Sequence, residues 1–293
     1  MRAMQRKTFL GKVYRELYEL LEQNYDLIHK SKPNVSKNSA GYALWNVWDR
    51  KTFDLTKLFA GSQGTLGITT NITFRLVKPK KYTALLVVFL PNLIYLTDIV
   101  EYLRAYQPES LESYDDHTLS LALKLFPSFV KKLKTNAFSL AWKFLPEFGI
   151  ILRHGFPKLV LLAEFTGDDR TEVHARAEAA QQAIQKWNVP SRIAANAGER
   201  KKYWTIRRES FNMLRHHVQG KRTAPFIDDF IVLPKYLPEF LPQLGAILDK
   251  YKLDYSIAGH VGNGNFHIIP LMDLKDEEQH KLIPKVAKEV YAL

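Results

Sequence analysis

Residues 259–267 read Gly-His-Val-Gly-Asn-Gly-Asn-Phe-His and hold the densest potential chemistry in the chain. Apolar, strand-like runs flank them: Tyr255-Ser256-Ile257-Ala258 before and Ile268-Ile269-Pro270-Leu271 after. Asn-Gly between two such runs signals a hairpin, because a type I′ turn needs positive φ at both central positions. A turn at Asn263-Gly264 pairs Gly262 with Asn265, Val261 with Phe266, and His260 with His267. Directly opposed residues share a sheet face, with Cβ atoms about 5 Å apart. Both imidazoles and the Asn265 amide then point one way, and Val261 and Phe266 point the other. Two imidazoles so placed can share one divalent metal, although a third ligand, usually a carboxylate, is needed to complete a site. The alternative is a tight polar hairpin whose histidines are solvated or hydrogen-bonded.

A second group that could do chemistry is Arg207. Trp204, Phe211, Leu214 and Val218 follow helical spacing over 198–219, and Arg207 falls on their stripe. A guanidinium facing a core must meet an anion, since leaving it unpaired costs several kcal/mol. Asp228 or Asp229 could supply that anion internally; a substrate carboxylate, which the planar fork grips in bidentate fashion, could supply it from outside. The third group is the run Gly61-Ser62-Gln63-Gly64-Thr65-Leu66-Gly67-Ile68. Its glycines let backbone N–H groups come close to a bound phosphate-bearing cofactor, or simply form a turn.

These groups need elements to carry them. Leu10, Val13, Leu17, Leu20, Leu21 and Leu27 recur at helical spacing over 8–30, and Pro33 closes that helix. A loop with a Gly41 pivot follows, then the glycine-rich run and a strand over 69–77. Pro79-Lys80-Lys81 marks a boundary, so two domains are expected, 1–79 and 80–293. Beyond it come a strand (82–89), a helix (93–106), a strand (110–114), an irregular helical region (117–153), a strand (158–166) and a helix (169–187) capped by Asp168 or Asp169. The 198–219 helix leads to a strand (226–232), a helix (238–252), the hairpin and a last helix from Asp276. The irregular region carries Phe126, Phe129, Trp142, Phe144 and Phe148 among lysines. It reads as an aromatic core insertion, because Pro127, Pro146 and Gly149 break it up; the rival is a membrane-resting surface using Lys131, Lys132 and Lys134. The order suggests an α+β sheet covered by helices on one face.

The 293 residues, 46% hydrophobic and 25% charged, suit an ordinary globular protein. Without cysteine there is no disulfide, thiolate metal site or cysteine nucleophile. No apolar run reaches a membrane span, and the start lacks a secretory signal, so a cytoplasmic location is expected, with peripheral contact at the membrane's inner face as an option. The net charge of +12 favours an anionic partner. Nucleic acid is not expected, since zinc-finger spacing, RNA-binding signatures and basic-aromatic repeats are missing.

Lys37-Asn38-x-x-Gly41-Tyr42-x-Leu44, then Phe53-Asp54-Leu55-x-Lys57-Leu58, then the glycine-rich run, resembles the end of the FAD-binding domain of FAD-linked oxidases. Asp228-Asp229 and Gly259-His260-x-Gly262-x-Gly264-Asn265-x-His267 resemble the same family's C-terminal cap. That family includes glycolate oxidase, D-lactate dehydrogenase and D-2-hydroxyglutarate dehydrogenase. The resemblance implies the C-terminal part of a vanillyl-alcohol-oxidase-type FAD-binding domain, followed by a ferredoxin-like antiparallel cap with a helical insertion. It implies oxidation of a small D-2-hydroxy acid by hydride transfer to flavin, with a quinone, cytochrome, electron-transfer flavoprotein or iron–sulfur protein as acceptor. Asn38, Gly41, Tyr42, Gly61, Ser62, Gly64, Thr65, Gly67 and Ile68 would contact FAD. His260 and His267 would bind a divalent metal (Zn, Mn or Fe), Asn265 would touch substrate or flavin, and Arg207 would hold the substrate carboxylate. Gln63 and Asn263 stand where family members usually carry Glu and Asp. The family's pyrophosphate loop would lie upstream and its Glu-His-Gly stretch downstream, so a fragment inactive in isolation is expected. The rival reading is a flavin-free module that binds an anion or a membrane surface.

Overall fold

A computed structural model describes residues 4–124, 147–217 and 220–293, with only the backbone described over 121–124 and 209–217. Phe126, Phe129, Trp142, Phe144, Pro127, Pro146 and the lysines 131, 132 and 134 therefore lie outside the described residues, as does Val218. The chain divides into two units, Met1–Val77 and Lys78–Leu293.

In the first unit the expected single helix is two, α1 (Phe9–Gln23) and α2 (Tyr25–Lys30), broken at Asn24. Thr8 caps α1 by accepting from the Gly11 N–H at 3.3 Å. Tyr14, Tyr18, Trp48 and Phe53 pack edge to face as a small aromatic cluster. The Trp48 indole N–H donates to Glu22 at 2.6 Å, which ties this cluster to α1. A short helix α3 (Thr56–Phe59) starts where Asp54 accepts from the Thr56 N–H and hydroxyl. The strand expected over 69–77 does not form. Ile72, Phe74 and Leu76 alternate as a strand would, yet stand 60%, 73% and 88% exposed. A lone strand leaves its backbone groups unpaired, and no second strand lies beside it among the described residues of this unit.

The second unit is one mixed-length sheet with helices. Its strands are β1 (Tyr82–Leu90), β2 (Ser110–Asp115), β3 (Leu159–Gly167), β4 (Ser191–Ile193), β5 (Arg222–Thr223), β6 (Phe230–Ile231), β7 (Asp254–His260) and β8 (Asn265–Met272). Its helices are α4 (Leu96–Ala105), α5 (Asp116–Lys124), α6 (Arg170–Ile184), α7 (Ala197–His217), α8 (Leu237–Lys250) and α9 (Glu277–Ala292). The sheet runs β4-β1-β3-β2-β7-β8-β5, with β6 also on β8, and every pairing is antiparallel. The first four strands with α4 and α6 form the βαββαβ ferredoxin-like unit in the order 4-1-3-2. The helical insertion sits between β2 and β3. Asp169 rather than Asp168 caps α6, accepting from Glu172 N at 2.9 Å.

The sheet is covered on both faces, not one. Ala84, Leu86, Val88 and Leu90 of β1 pack with α4, α6, α8 and α9, while Leu85, Val87 and Phe89 pack with Leu119 of α5 and Tyr203 and Ile206 of α7. Both sides of β1 are apolar, and each such side chain contributes about 1.5–3 kcal/mol once buried. A strand with no polar face cannot leave one side to water. On α7 the most buried side chains are Lys202, Tyr203 and Ile206, so the inward stripe is centred just beside the expected one, with Trp204 at its half-buried edge.

Candidate active site

The 259–267 segment folds as a hairpin in a different register from the expected one. Val261–Asn263 make a 3-10 turn and Gly264 closes it at φ +75°, so the loop has four residues instead of two. His260 pairs with Asn265, Gly259 with Phe266, and Ala258 with His267. Relative to the two-residue turn the strands have slipped by two. Side chains alternate with period two, so a slip of two keeps every residue on its face, where a slip of one would reverse them all. His260, Asn265 and His267 therefore still share a face. The two histidines sit diagonally, with ring centroids 5.7 Å apart.

The glycines of this segment explain that register. A Cβ at Gly259 would lie 2.3 Å from the Asn265 carbonyl oxygen, and one at Gly264 would lie 1.8 Å from that of Val232. Only bare backbone lets β7, β8 and the 232–234 segment approach so closely. Gly262 is tight against the Leu111 side chain, at 2.9 Å.

The residue that organises the face is Glu112 of β2, only 6% exposed. Its Oε2 accepts from Arg207 Nε and Nη2, both at 3.0 Å. Its Oε1 meets His260 Nδ1 at 2.5 Å. Glu112 thus takes the internal-anion role expected of Asp228 or Asp229. Asp228 instead meets His267 Nδ1 at 3.1 Å, and Asp229 accepts from Asn265 Nδ2 at 2.8 Å. The same amide donates to the Phe230 carbonyl at 3.0 Å. Asp229 holds φ +65°, and its own N–H donates to Asp228 Oδ1 at 2.8 Å; aspartate tolerates this left-handed bend better than most residues.

A carboxylate at Nδ1 orients an imidazole and leaves Nε2 as the lone-pair nitrogen, the arrangement that supports histidines bound to metals. Both rings have it. Among the described residues, however, no group of three or more His, Asp and Glu side chains is arranged to hold a metal. His260 and His267 are two suitable donors and the remaining ligand is not among their neighbours.

Polar contacts hold α7 against the sheet on either side of Arg207. Trp204 donates its indole N–H to Glu164 at 3.0 Å, and burial pushes the Glu164 carboxyl above its usual range. Further along, Glu147 accepts from Lys202 at 2.8 Å, from Arg192 at 3.0 Å and from the Tyr203 hydroxyl. Burial draws the Lys202 ammonium below its ordinary pKa, although Glu147 opposes that shift. Glu112, Glu147 and Glu164 are not among the residues expected from sequence. Glu112 and Glu164 carry a usable signal there, since each is a carboxylate inside an otherwise apolar strand.

The remaining candidate residues all lie in the first unit. Asn38 accepts from the Ala40 N–H at 2.9 Å, forming an Asx turn before Gly41 at φ +67°. The Tyr42 hydroxyl meets Thr65 Oγ1 at 2.7 Å, and Thr65 donates to the Ser62 carbonyl at 2.6 Å. Gly61, Gly64 and Gly67 all take positive φ; Ser62 is buried and Ile68 fully exposed. Around Gly41, Gly64 and Gly67 a Cβ would meet nothing within 4 Å, so open space rather than packing surrounds them.

A βαββαβ sheet with an inserted helical segment, carrying paired imidazoles, a carboxylate fork and an arginine on one face, defines an α+β domain of the ferredoxin-like type. The chain belongs to the FAD linked oxidases, through their C-terminal domain, which matches residues 79–293. It is 28% identical over 290 residues to a D-2-hydroxyglutarate dehydrogenase of Pseudomonas putida, covering 97% of this chain and 27% of that protein. It is 24% identical over 299 residues to the Escherichia coli protein of the same name, covering 98% and 28%. A mitochondrial D-lactate dehydrogenase [cytochrome] of Arabidopsis thaliana is 28% identical over 264 residues, covering 88% and 39%. The chain thus spans little more than a quarter of the length of the two bacterial relatives. The structure of an alkyldihydroxyacetonephosphate synthase shares the fold, with a TM-score of 0.57 and 14% identity over 83% of this chain and 45% of that one. Among the described residues no helix is long and apolar enough to cross a membrane.

Proposed function

We propose that this chain is part of an FAD-dependent oxidoreductase that oxidises a D-2-hydroxy acid of the lactate, glycolate or 2-hydroxyglutarate type. In this reading residues 1–79 contribute to the flavin site and residues 80–293 form the substrate cap. The observation that carries it is the single face on which Glu112 joins Arg207 to His260, with His267 and Asn265 beside them. Bound FAD supplies the hydride acceptor. Asn38, Gly41, Tyr42, Gly61, Ser62, Gly64, Thr65, Gly67 and Ile68 hold it, with the positive-φ glycines leaving room for a close approach.

Arg207 grips the substrate carboxylate. Glu112 occupies its Nε and Nη2 donors, two of the five that a guanidinium carries, and so fixes the plane in which it meets an anion. Asn265 spends both amide hydrogens on Asp229 and Phe230, which leaves its Oδ1 to accept from the substrate hydroxyl. Charge argues for a cation as well. Glu112, Asp228 and Asp229 outnumber Arg207, so a further anion enters against net negative charge unless something offsets it. A Zn, Mn or Fe ion on the Nε2 atoms of His260 and His267 does so, acting as a Lewis acid on the hydroxyl. Reoxidation of the flavin calls for a quinone, a cytochrome, an electron-transfer flavoprotein or an iron–sulfur protein.

The test is calorimetric titration of the 293-residue chain with D-lactate and D-2-hydroxyglutarate, with and without Zn2+. Binding of one acid, tightened by the metal and weakened at least tenfold in Arg207→Met and His260→Ala, is expected. If neither acid binds with or without metal, the substrate assignment fails.

A further inference from the structure

On the other side of the sheet lies a cleft of about 590 Å³ that the oxidoreductase reading does not use. It opens where β2 ends, β3 begins and α8 crosses β7, near Tyr255. Five residues of β7 separate Tyr255 from His260, about 16 Å along a strand, and Tyr255 and Ile257 pack on the opposite face from the imidazoles. A cleft this size lies within the range of small-molecule sites, about 300–1,000 Å³. One wall is apolar, made by Leu93, Ile94, Leu241, Pro242 and Ile257.

The other end is acidic. Asp115, Asp116 and Asp249 line it, against Lys158 and His117. Lys158 donates to Asp116 at 2.7 Å, and the His117 ring stacks flat on Tyr255 with centroids 4.3 Å apart. The three carboxylates act on one small volume. Asp116, then Asp115 and Asp249, hold the Lys158 ammonium above its ordinary pKa. Burial, and then Asp249, Asp115 and Asp116, push the Tyr255 phenol up. Burial also lifts the Asp115 carboxyl to about 6, although it caps α5 by accepting from the Thr118 N–H at 2.8 Å. One lysine against three carboxylates leaves negative charge beside an apolar wall, in a chain whose overall charge is +12.

We propose that this cleft binds a small organic amine, its ammonium placed among Asp115, Asp116 and Asp249 and its apolar body along Leu93, Ile94, Leu241 and Ile257. Lys158 shows that an ammonium is accommodated at Asp116, and a buried carboxyl near neutrality ionises readily once a cation arrives. The inference is independent of the oxidoreductase reading, because none of its residues belongs to that site.

The experiment titrates the 293-residue chain with 4-phenylbutylamine, the neutral 4-phenylbutan-1-ol and the anionic 4-phenylbutyrate. A chain of charge +12 attracts the anion through its general field, so preference for the amine reports the cleft alone. The expected result is amine binding at least tenfold tighter than the alcohol, with the carboxylate weakest. Asp249→Asn, at an exposed position, and Asp115→Asn, which retains a good helix cap, should each weaken the amine about fivefold while thermal unfolding shows both folded. Equal binding of the three probes, no amine binding at millimolar concentration, or unchanged amine affinity in the folded double variant overturns the proposal.

Discussion

Glu112 shows how one side chain can couple two functional groups. Its two oxygens face Arg207 and His260, and both it and the guanidinium are largely withdrawn from water. Removing one partner of a buried ion pair leaves the other charge uncompensated, at a typical cost of about 3–5 kcal/mol. Glu112→Gln should therefore lower unfolding stability by roughly 3 kcal/mol in a urea titration. An unchanged midpoint would mean the pair is more hydrated than its burial indicates. The hairpin glycines allow a sharper comparison. Gly264 is left-handed and its missing Cβ would strike a backbone carbonyl, whereas at Gly262 the clash is with the Leu111 side chain, which can move. Gly264→Ala should cost roughly 3 kcal/mol or more and Gly262→Ala about 1 kcal/mol. The reverse order in thermal melts would overturn this account of the motif.

At the scale of elements, α5 begins on a buried carboxyl whose pKa is raised to about 6 by loss of solvent. In the unfolded chain that group titrates near 3.9. Between these values the folded state holds a proton that the unfolded state has released. Stability is therefore fully present below about pH 4 and declines as pH rises through about 6, by roughly 2 kcal/mol from this group. Asp115→Asn keeps the cap and removes the titration, so its stability between pH 4 and 7 should lack this component. A wild-type profile with no greater decline than the variant's across that window would count against the buried-acid assignment. Helix α7 owes its placement to polar contacts as much as to its apolar stripe. Trp204 on Glu164 and Arg207 on Glu112 are one turn apart, and together they set the rotation of the helix over the sheet.

At the scale of the whole molecule, the chain divides at Val77–Lys78. Residues 68–81 are exposed and without secondary structure, and they include Arg75, Lys78, Lys80 and Lys81. Brief trypsin digestion should cut there before it cuts within β1, β2 or β3, as mass spectrometry of the products would reveal. Early cuts inside those strands would contradict the burial of the sheet.

Much of this could be read from residue order alone. Helical and strand periodicity placed most elements of the second unit, since repeats of 3.6 and 2 are local consequences of backbone geometry. The face shared by His260, Asn265 and His267 was also legible, because parity along a strand survives a two-residue slip. What needed the tertiary structure was everything set by residues distant in sequence. The loop is four residues long because Val232 crowds Gly264; the sheet is two-sided because α5 and α7 cross it; and Arg207 meets Glu112 because β2 runs beside β7. None of those neighbours lies within 20 positions of the residue it governs, and periodicity carries no information across such gaps.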